Sequence, residues 1–352
     1  MPRAALCLPL VTLLLRAGDS GFDTLEKAGR WKELRARVQV QLVAAPRDPQ
    51  VLLWSSRVKA AFGDLEGALA QGREALTLAP QQADVLAQVA LVLGQKANQE
   101  TSKLTQFSLA REMKKLGEQA LVLQPGHPEA TQLMARFYRM APGLIGGDNA
   151  KAWKLAQALA DKDPAQGYPL LAELALMDKE APKAVAYYRE GIQKAADPYG
   201  PLVGLGNYLV GEAGEAEVPA LLKRAIALHP ERAGARGILA YLQAKQGNLA
   251  ALDAGLVEWE RLTPGNLGPH YYAALAFLKE GRELPRAEAL LRRYLTVEPE
   301  GQRPTHAQAW RQLGLSLEKQ GRKPEAIAAL ESALKLNPNL KSAQGDLKRL
   351  RG

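Results

Sequence analysis

The stretch "WRQLGLSLEKQGRKPEAIAALESALKLNP", Trp310 to Pro338, decides the fold. Trp310, Leu313, Gly314 and Leu317 recur at steps of three and four, which sets them along one stripe of a helix. Gly314 leaves room for a partner helix to approach closely. Ala326, Leu330 and Ala333 give a second helix the matching small and apolar surface. Pro338 then stops it, because proline cannot continue the hydrogen-bond ladder. Two short antiparallel helices packed by a glycine are the smallest unit this segment can form.

Those positions resemble the W-x2-L-G-x2-Y, A-x3-F, A, P spacing of the 34-residue tetratricopeptide repeat. Reading backwards, Pro299, Pro264, Pro230, Pro198, Pro164, Pro125, Pro80 and Pro46 each close a hairpin in the same frame. The internal positions return as Leu202, Leu205, Gly206, Leu222 and Ala225, as Leu239, Ala240, Leu252 and Leu256, and as Tyr271, Leu278, Ala287 and Leu291. Near the N-terminus Leu52, Gly63, Ala68 and Ala75 occupy them. The expected fold is all-α, a right-handed α-solenoid of about nine helix hairpins, the first degenerate, in which each unit packs on its neighbours. Length alone suggests two or three domains, and the repeat overrides that prior. The array covers 21–340, and 341–352 reads as a capping helix with Leu347 and Leu350 on its apolar side. Such an array is expected to be elongated.

Residues 1–20 obey other rules. Arg3 precedes the apolar run Ala4 to Leu15, and Ala17, Gly18, Asp19 and Ser20 come after it. The run is too short to span a bilayer and fits the core of a secretory signal peptide. Export to the periplasm or beyond a bacterial cell is the expectation, with no transmembrane segment once the leader is removed. The competing reading is a buried first helix of the solenoid. Cys7, the only cysteine, lies inside this segment. Leu6 before it and the short run ahead of it argue against lipidation, and the mature chain would carry no thiol, disulfide or zinc-thiolate site.

Catalytic chemistry finds no residues. His127, His229, His270 and His306 sit beside prolines or in turns, without a second ligand at helical spacing. No nucleophile–base arrangement, phosphate-cradling loop or paired buried carboxylate can be assembled. No metal, no cofactor and no enzymatic activity are expected. The net charge of +9 could steer acidic partners. Acidic and basic residues alternate along the chain, however, and no basic stripe interleaved with aromatics points to nucleic acid.

One segment breaks the rhythm. In "APGLIGGDNAKAW", Ala141 to Trp153, Pro142 ends a helix and Gly146 and Gly147 permit backbone angles other residues avoid. Asp148 stands where an N-cap belongs, ahead of a helix that opens at Asn149. An ordinary repeat needs only a short turn, so 141–148 is an insertion projecting from one rim. With "DKDPAQGY" and "KAVAYYREGI" after it, the block resembles that of exported bacterial tetratricopeptide proteins carrying A-P-x-x-x-G-G-[DS]-x-x-K-A. Pro142, Gly146, Gly147, Asp148, Lys151 and Ala152 occupy its positions. A more distant similarity is to the periplasmic T-component lipoproteins of TRAP-type transporters, which implies small apolar ligands or transporter partners. This chain lacks their lipobox cysteine.

Helical spacing sets positions 5, 9 and 12 of each repeat on the inner face of the first helix. They read Arg57, Glu173, Asn207, Tyr241, Tyr272, Lys279, Arg311 and Glu318. That mixture of aromatic and polar groups suits an extended peptide held by stacking and hydrogen bonds. The expected function is a non-enzymatic scaffold that binds a protein or peptide through its concave surface. The alternative is a periplasmic carrier of a small apolar ligand, serving a transporter.

Overall fold

The computed structural model describes residues 21–301 and 304–352. The leader expected at 1–20, with Cys7, lies outside the described residues. Among the described residues there are nineteen α-helices and no strand.

The first eighteen helices pair as hairpins of a helix A and a helix B. The first is α1 (Phe22–Ala28) with α2 (Trp31–Ala44), and the second α3 (Pro49–Ala61) with α4 (Leu65–Leu78). Next come α5 (Ala83–Gln99) with α6 (Lys103–Leu123), and α7 (Pro128–Met140) with α8 (Asn149–Lys162). The fifth and sixth are α9 (Pro164–Met177) with α10 (Ala181–Lys194), and α11 (Tyr199–Leu209) with α12 (Val218–Leu228). The last three are α13 (Gly234–Gln246) with α14 (Leu249–Leu262), α15 (Gly268–Glu280) with α16 (Leu284–Leu295), and α17 (His306–Lys319) with α18 (Lys323–Leu336). The cap is α19 (Lys341–Arg351). All nine marker prolines fall between the end of a helix B and the first turn of the next helix, where a missing N–H costs nothing. The first hairpin is the short one: α1 has seven residues.

The packing rule read from Trp310–Pro338 operates as expected. Leu313, Leu317, Ala326, Leu330 and Ala333 are all buried. A Cβ at Gly314 would stand 2.9 Å from Leu330 Cγ and 3.1 Å from the Ala326 carbonyl, so the crossing needs glycine. Gly206 plays the same part against Leu222 two hairpins before the α15–α16 unit, at 2.8 Å. Each buried leucine of this kind contributes about 1.5–3 kcal/mol. Helix α17 opens on a full capping box, with Thr305 accepting from Gln308 N–H and Gln308 reaching back to Thr305. The cap α19 buries Ala343, Leu347 and Leu350 against the last hairpin.

The expectation of an elongated array is corrected by a contact between the first two hairpins and the turns that follow α14 and α16. In every hairpin the A-to-B turn lies on one rim and the B-to-A turn on the other. The A-to-B rim of the first two hairpins rests on the B-to-A rim around 265 and 297–301. Lys32 Nζ donates to the carbonyls of Gly265 and Glu298, each at 2.9 Å. Lys32 N–H donates to Glu300 at 2.8 Å, and Arg35 grips Glu298 through two bonds of 2.9 and 2.8 Å. Gly301, at φ +87°, lies so close that a Cβ would come within 2.8 Å of the Ala61 carbonyl. The solenoid thus completes a superhelical turn and meets itself. The reason is geometric: a constant rotation per hairpin must bring some later unit under the first.

Candidate functional site

A cavity of about 670 Å³ lies on the A-helix face of α11, α13 and α15, where the closing contact borders it. Asn207 on α11, Tyr241 on α13, and Tyr272 and Lys279 on α15 all line it. Helical spacing alone placed these four on one face, and the stacked A helices bring them together. Trp31, at the start of α2, forms part of the wall across from them.

Tyr272 owes its position to two features. A Cβ on Gly237 would sit 2.8 Å from its Cδ2, so the ring lies on a glycine step of the neighbouring helix. Behind it Tyr271, Tyr294 and His306 stand in series, with centroids 5.6, 5.5 and 5.9 Å apart. Two of these contacts are edge-on and the middle one is tilted, arrangements that fix ring orientation. Burial raises the Tyr271 phenol to about 12 and pushes Tyr294 higher still. Both therefore stay protonated, and Tyr294 donates to the Pro304 carbonyl at 2.5 Å. Tyr272, 37 % exposed, is the face this stack offers to the cavity.

Charge in the groove is divided. Lys279 and Lys245 project from the C-terminal ends of their helices, Lys245 bonded to Glu215. On the opposite side are Glu298 and Glu300, whose carboxylates take part in the closing contact. Arg35 holds Glu298 below the usual carboxylate range. An apolar floor with cations on one side and carboxylates on the other can bind and orient, but it presents no base poised beside a nucleophile.

The other four predicted residues lie elsewhere. Arg57 is nearly buried and bridges three helices, pairing with Glu26 at 2.9 Å and Glu129 at 2.7 Å. Glu173 takes a forked bond from Arg136 at 2.8 to 3.0 Å and lines a separate cavity of about 330 Å³. Arg311 and Glu318 face the cap: Arg311 donates to Asp346 at 2.7 Å and Glu318 accepts from Arg349 at 2.8 Å. Among the groove residues the sequence reading missed are Trp31, Lys245, Glu298 and Glu300. Lys245 could have been found by continuing the helical stripe from Tyr241. The others reach the groove only because the superhelix closes.

The inserted loop stands apart from this groove. Gly143–Ile145 form a turn of 3-10 helix, and Gly146 has φ +94°. A Cβ on Gly147 would strike the Ala141 carbonyl at 1.8 Å, which explains the second glycine. Asp148 caps α8 by accepting from Lys151 N–H at 3.0 Å, and Lys151 Nζ lies 5.5 Å from the Tyr138 ring. The Pro142 carbonyl accepts Gly147 N–H at 3.1 Å and so closes the turn.

The histidines serve the turns. His127 is buried, accepts from Ala130 N–H at 3.3 Å and meets Asp84 at 2.9 Å. His229 lies between Asp197 and Glu231, at 3.0 and 2.9 Å. Among the described residues no group of three or more His, Cys, Asp or Glu could hold a metal ion. None of their helices is long and apolar enough to cross a membrane.

No curated protein matches the chain in sequence. Among solved structures, the crystal structure of yeast Tom70 superposes with a TM-score of 0.51 at 14 % identity, over 94 % of this chain and 86 % of that one. A tetratricopeptide repeat protein from Parabacteroides merdae matches 75 % of this chain and 99 % of its own, at 16 % identity and a TM-score of 0.46. The first likeness concerns the helical-repeat fold. At the sequence level residues 307–340, the last hairpin, match the tetratricopeptide repeat family.

Proposed function

We propose that the chain is a non-enzymatic scaffold that binds an extended protein segment in the groove over α11, α13 and α15. The observation that carries this reading is the convergence of Asn207, Tyr241, Tyr272 and Lys279 on one cavity. Two tyrosines offer broad rings and hydroxyls at low entropic cost, and Asn207 can pair with a peptide backbone. The mixed polar lining supports a peptide over a small apolar ligand, which calls for a continuous apolar pocket. Lysine and asparagine do not recur in pairs at adjacent units, so an internal segment is favoured over a free C-terminal carboxylate. Export through the leader at 1–20 belongs to the same proposal. An intact mass showing loss of a leader ending between Ala17 and Ser20 would support it, and full-length chain confined to the cytosol would oppose it.

The groove is tested with peptides selected from a random display library on the whole chain. Tyr241→Ala with Tyr272→Ala should weaken the selected peptides at least tenfold with the fold intact. Arg292→Glu with Arg293→Glu, on helix B of the same unit, should leave them unchanged. The reverse pattern would move the site to the outer face.

A further inference from the structure

The third and fourth hairpins are enlarged on the same rim. Helices α5 and α6 have 17 and 21 residues, against 11 to 14 for the helices from α7 to α18. The next A-to-B turn is the inserted loop 141–148. These two extensions lie side by side, because Phe107, Ala110, Arg111 and Lys114 of α6 share a notch of about 390 Å³ with Phe137 and Gly143–Gly146. Lys114 lies across the loop, where a Cβ on Gly146 would come within 2.3 Å of its Nζ.

The apolar residues here are displayed rather than packed. Leu144 at the tip of the loop is 96 % exposed, Leu104 in the first turn of α6 is 86 % exposed, and Phe107 is 48 % exposed. Leu104, Phe107, Arg111 and Lys114 succeed one another at steps of three and four and so share one helix face. Around them are Lys103, Arg111, Lys114 and Lys115. Arg111 and Lys115 have no carboxylate within ion-pair distance among the described residues. The nearby acids are engaged: Glu112 with Arg73 at 2.9 Å, and Glu118 with the Tyr138 hydroxyl at 2.6 Å and, more loosely, with Lys114 at 3.8 Å. Glu100 accepts the N–H groups of Thr101 and Ser102.

We infer that this rim docks on an anionic lipid bilayer, with Leu144, Leu104 and Phe107 entering the interface and Lys103, Arg111, Lys114 and Lys115 meeting lipid phosphates. Protruding side chains suit a bilayer, which takes up apolar tips without needing a complementary shape. The flanking cations supply the attraction to anionic headgroups. A two-fold contact with a second copy is disfavoured, because it would set the four cations against their own images. An acidic protein surface would need concave walls for Leu144, which stands clear of its neighbours.

The test uses the full chain and vesicles of phosphatidylcholine with or without 30 % phosphatidylglycerol. The protein should sediment with the anionic vesicles and release them at high salt. Leu144→Asp should weaken binding at least tenfold. Arg111→Glu with Lys114→Glu should weaken it by more than twentyfold, since each cation near the surface is worth about 5-fold. Residues 1–20 are common to all variants and cancel in these comparisons. As a local readout, Leu144→Trp should add fluorescence that brominated lipid quenches. Unquenched emission from that introduced indole, or vesicle binding unaffected by Leu144→Asp, would overturn the inference. So would wild-type protein that ignores anionic vesicles but is captured by an acidic peptide through Leu144.

Discussion

Removing the closing contact should open the superhelix, and its cost can be worked from the geometry. In Lys32→Ala with Arg35→Ala, two sets of bonds disappear. The Arg35–Glu298 fork joins side chains 42 % and 53 % exposed, so solvent screens it to about 0.2–1 kcal/mol. Lys32 is more sheltered, at 22 % exposed, and its ammonium serves two carbonyls at once. Bonds to a charged group net about 1.5–3 kcal/mol. The sum, roughly 2–4 kcal/mol, raises the open-to-closed ratio about 30- to 700-fold. Small-angle X-ray scattering should register a larger radius of gyration and maximum dimension, with helix content unchanged by circular dichroism. Wild-type protein in 1 M salt should move in the same direction, because the Debye length falls from about 10 Å to about 3 Å. Identical scattering curves for variant and wild type would refute the reasoning. The two rims would then be held by apolar contact around Trp31 and Gly301, and not by these charges.

The same contact carries a pH dependence. Arg35 depresses the Glu298 carboxyl below its ordinary 4.5, so its contribution is complete above that value and is lost as pH falls through the lower, folded one. As pH falls through that lowered value, scattering should therefore move toward the double variant by the fork's share alone, with Lys32's carbonyl bonds retained, and Glu298→Gln should diminish the response. Gly314→Leu should lower stability by at least about 1–3 kcal/mol in thermal or urea unfolding, since even a Cβ meets Leu330 at 2.9 Å. An unchanged melting curve would contradict the packing of α17 on α18. Asp148→Ala should cost about 1 kcal/mol by loss of the cap bond to Lys151 N–H, measured the same way.

What the sequence made legible is the set of contacts that neighbouring units settle between themselves. Gly314 faces Leu330 sixteen positions on, and Gly206 faces Leu222 at the same separation, so a local spacing rule captures both. The inner stripe is equally local, and four of its residues, Asn207, Tyr241, Tyr272 and Lys279, line one cavity. Where the stripe failed to reach the groove, a competing partner had taken the side chain. Arg57 is drawn into carboxylates of α1 and α7, and Arg311 and Glu318 are taken by a cap whose docking face no repeat pattern encodes.

Closure was illegible for a different reason. Lys32 and Glu300 are 268 positions apart, and no periodicity links them. Their meeting depends on the sum of small rotations over seven units, each set by side-chain volumes at a crossing such as Gly314 with Leu330. An error of a few degrees per crossing, harmless to any one hairpin, would multiply sevenfold and carry Arg35 past Glu298. The closing residues consequently look like ordinary solvated charges in sequence. Gly301 does carry a trace, since its left-handed backbone and the 2.8 Å approach to Ala61 together leave no room for a side chain. Gly301→Val therefore isolates closure from charge. It keeps Lys32, Arg35 and Glu298 intact yet forces the rims apart, and should give the expanded scattering profile at low salt. A compact Gly301→Val protein would mean that the 297–301 turn can retreat from Ala61 without losing the ion pairs, which would make closure a yielding contact rather than a fitted one.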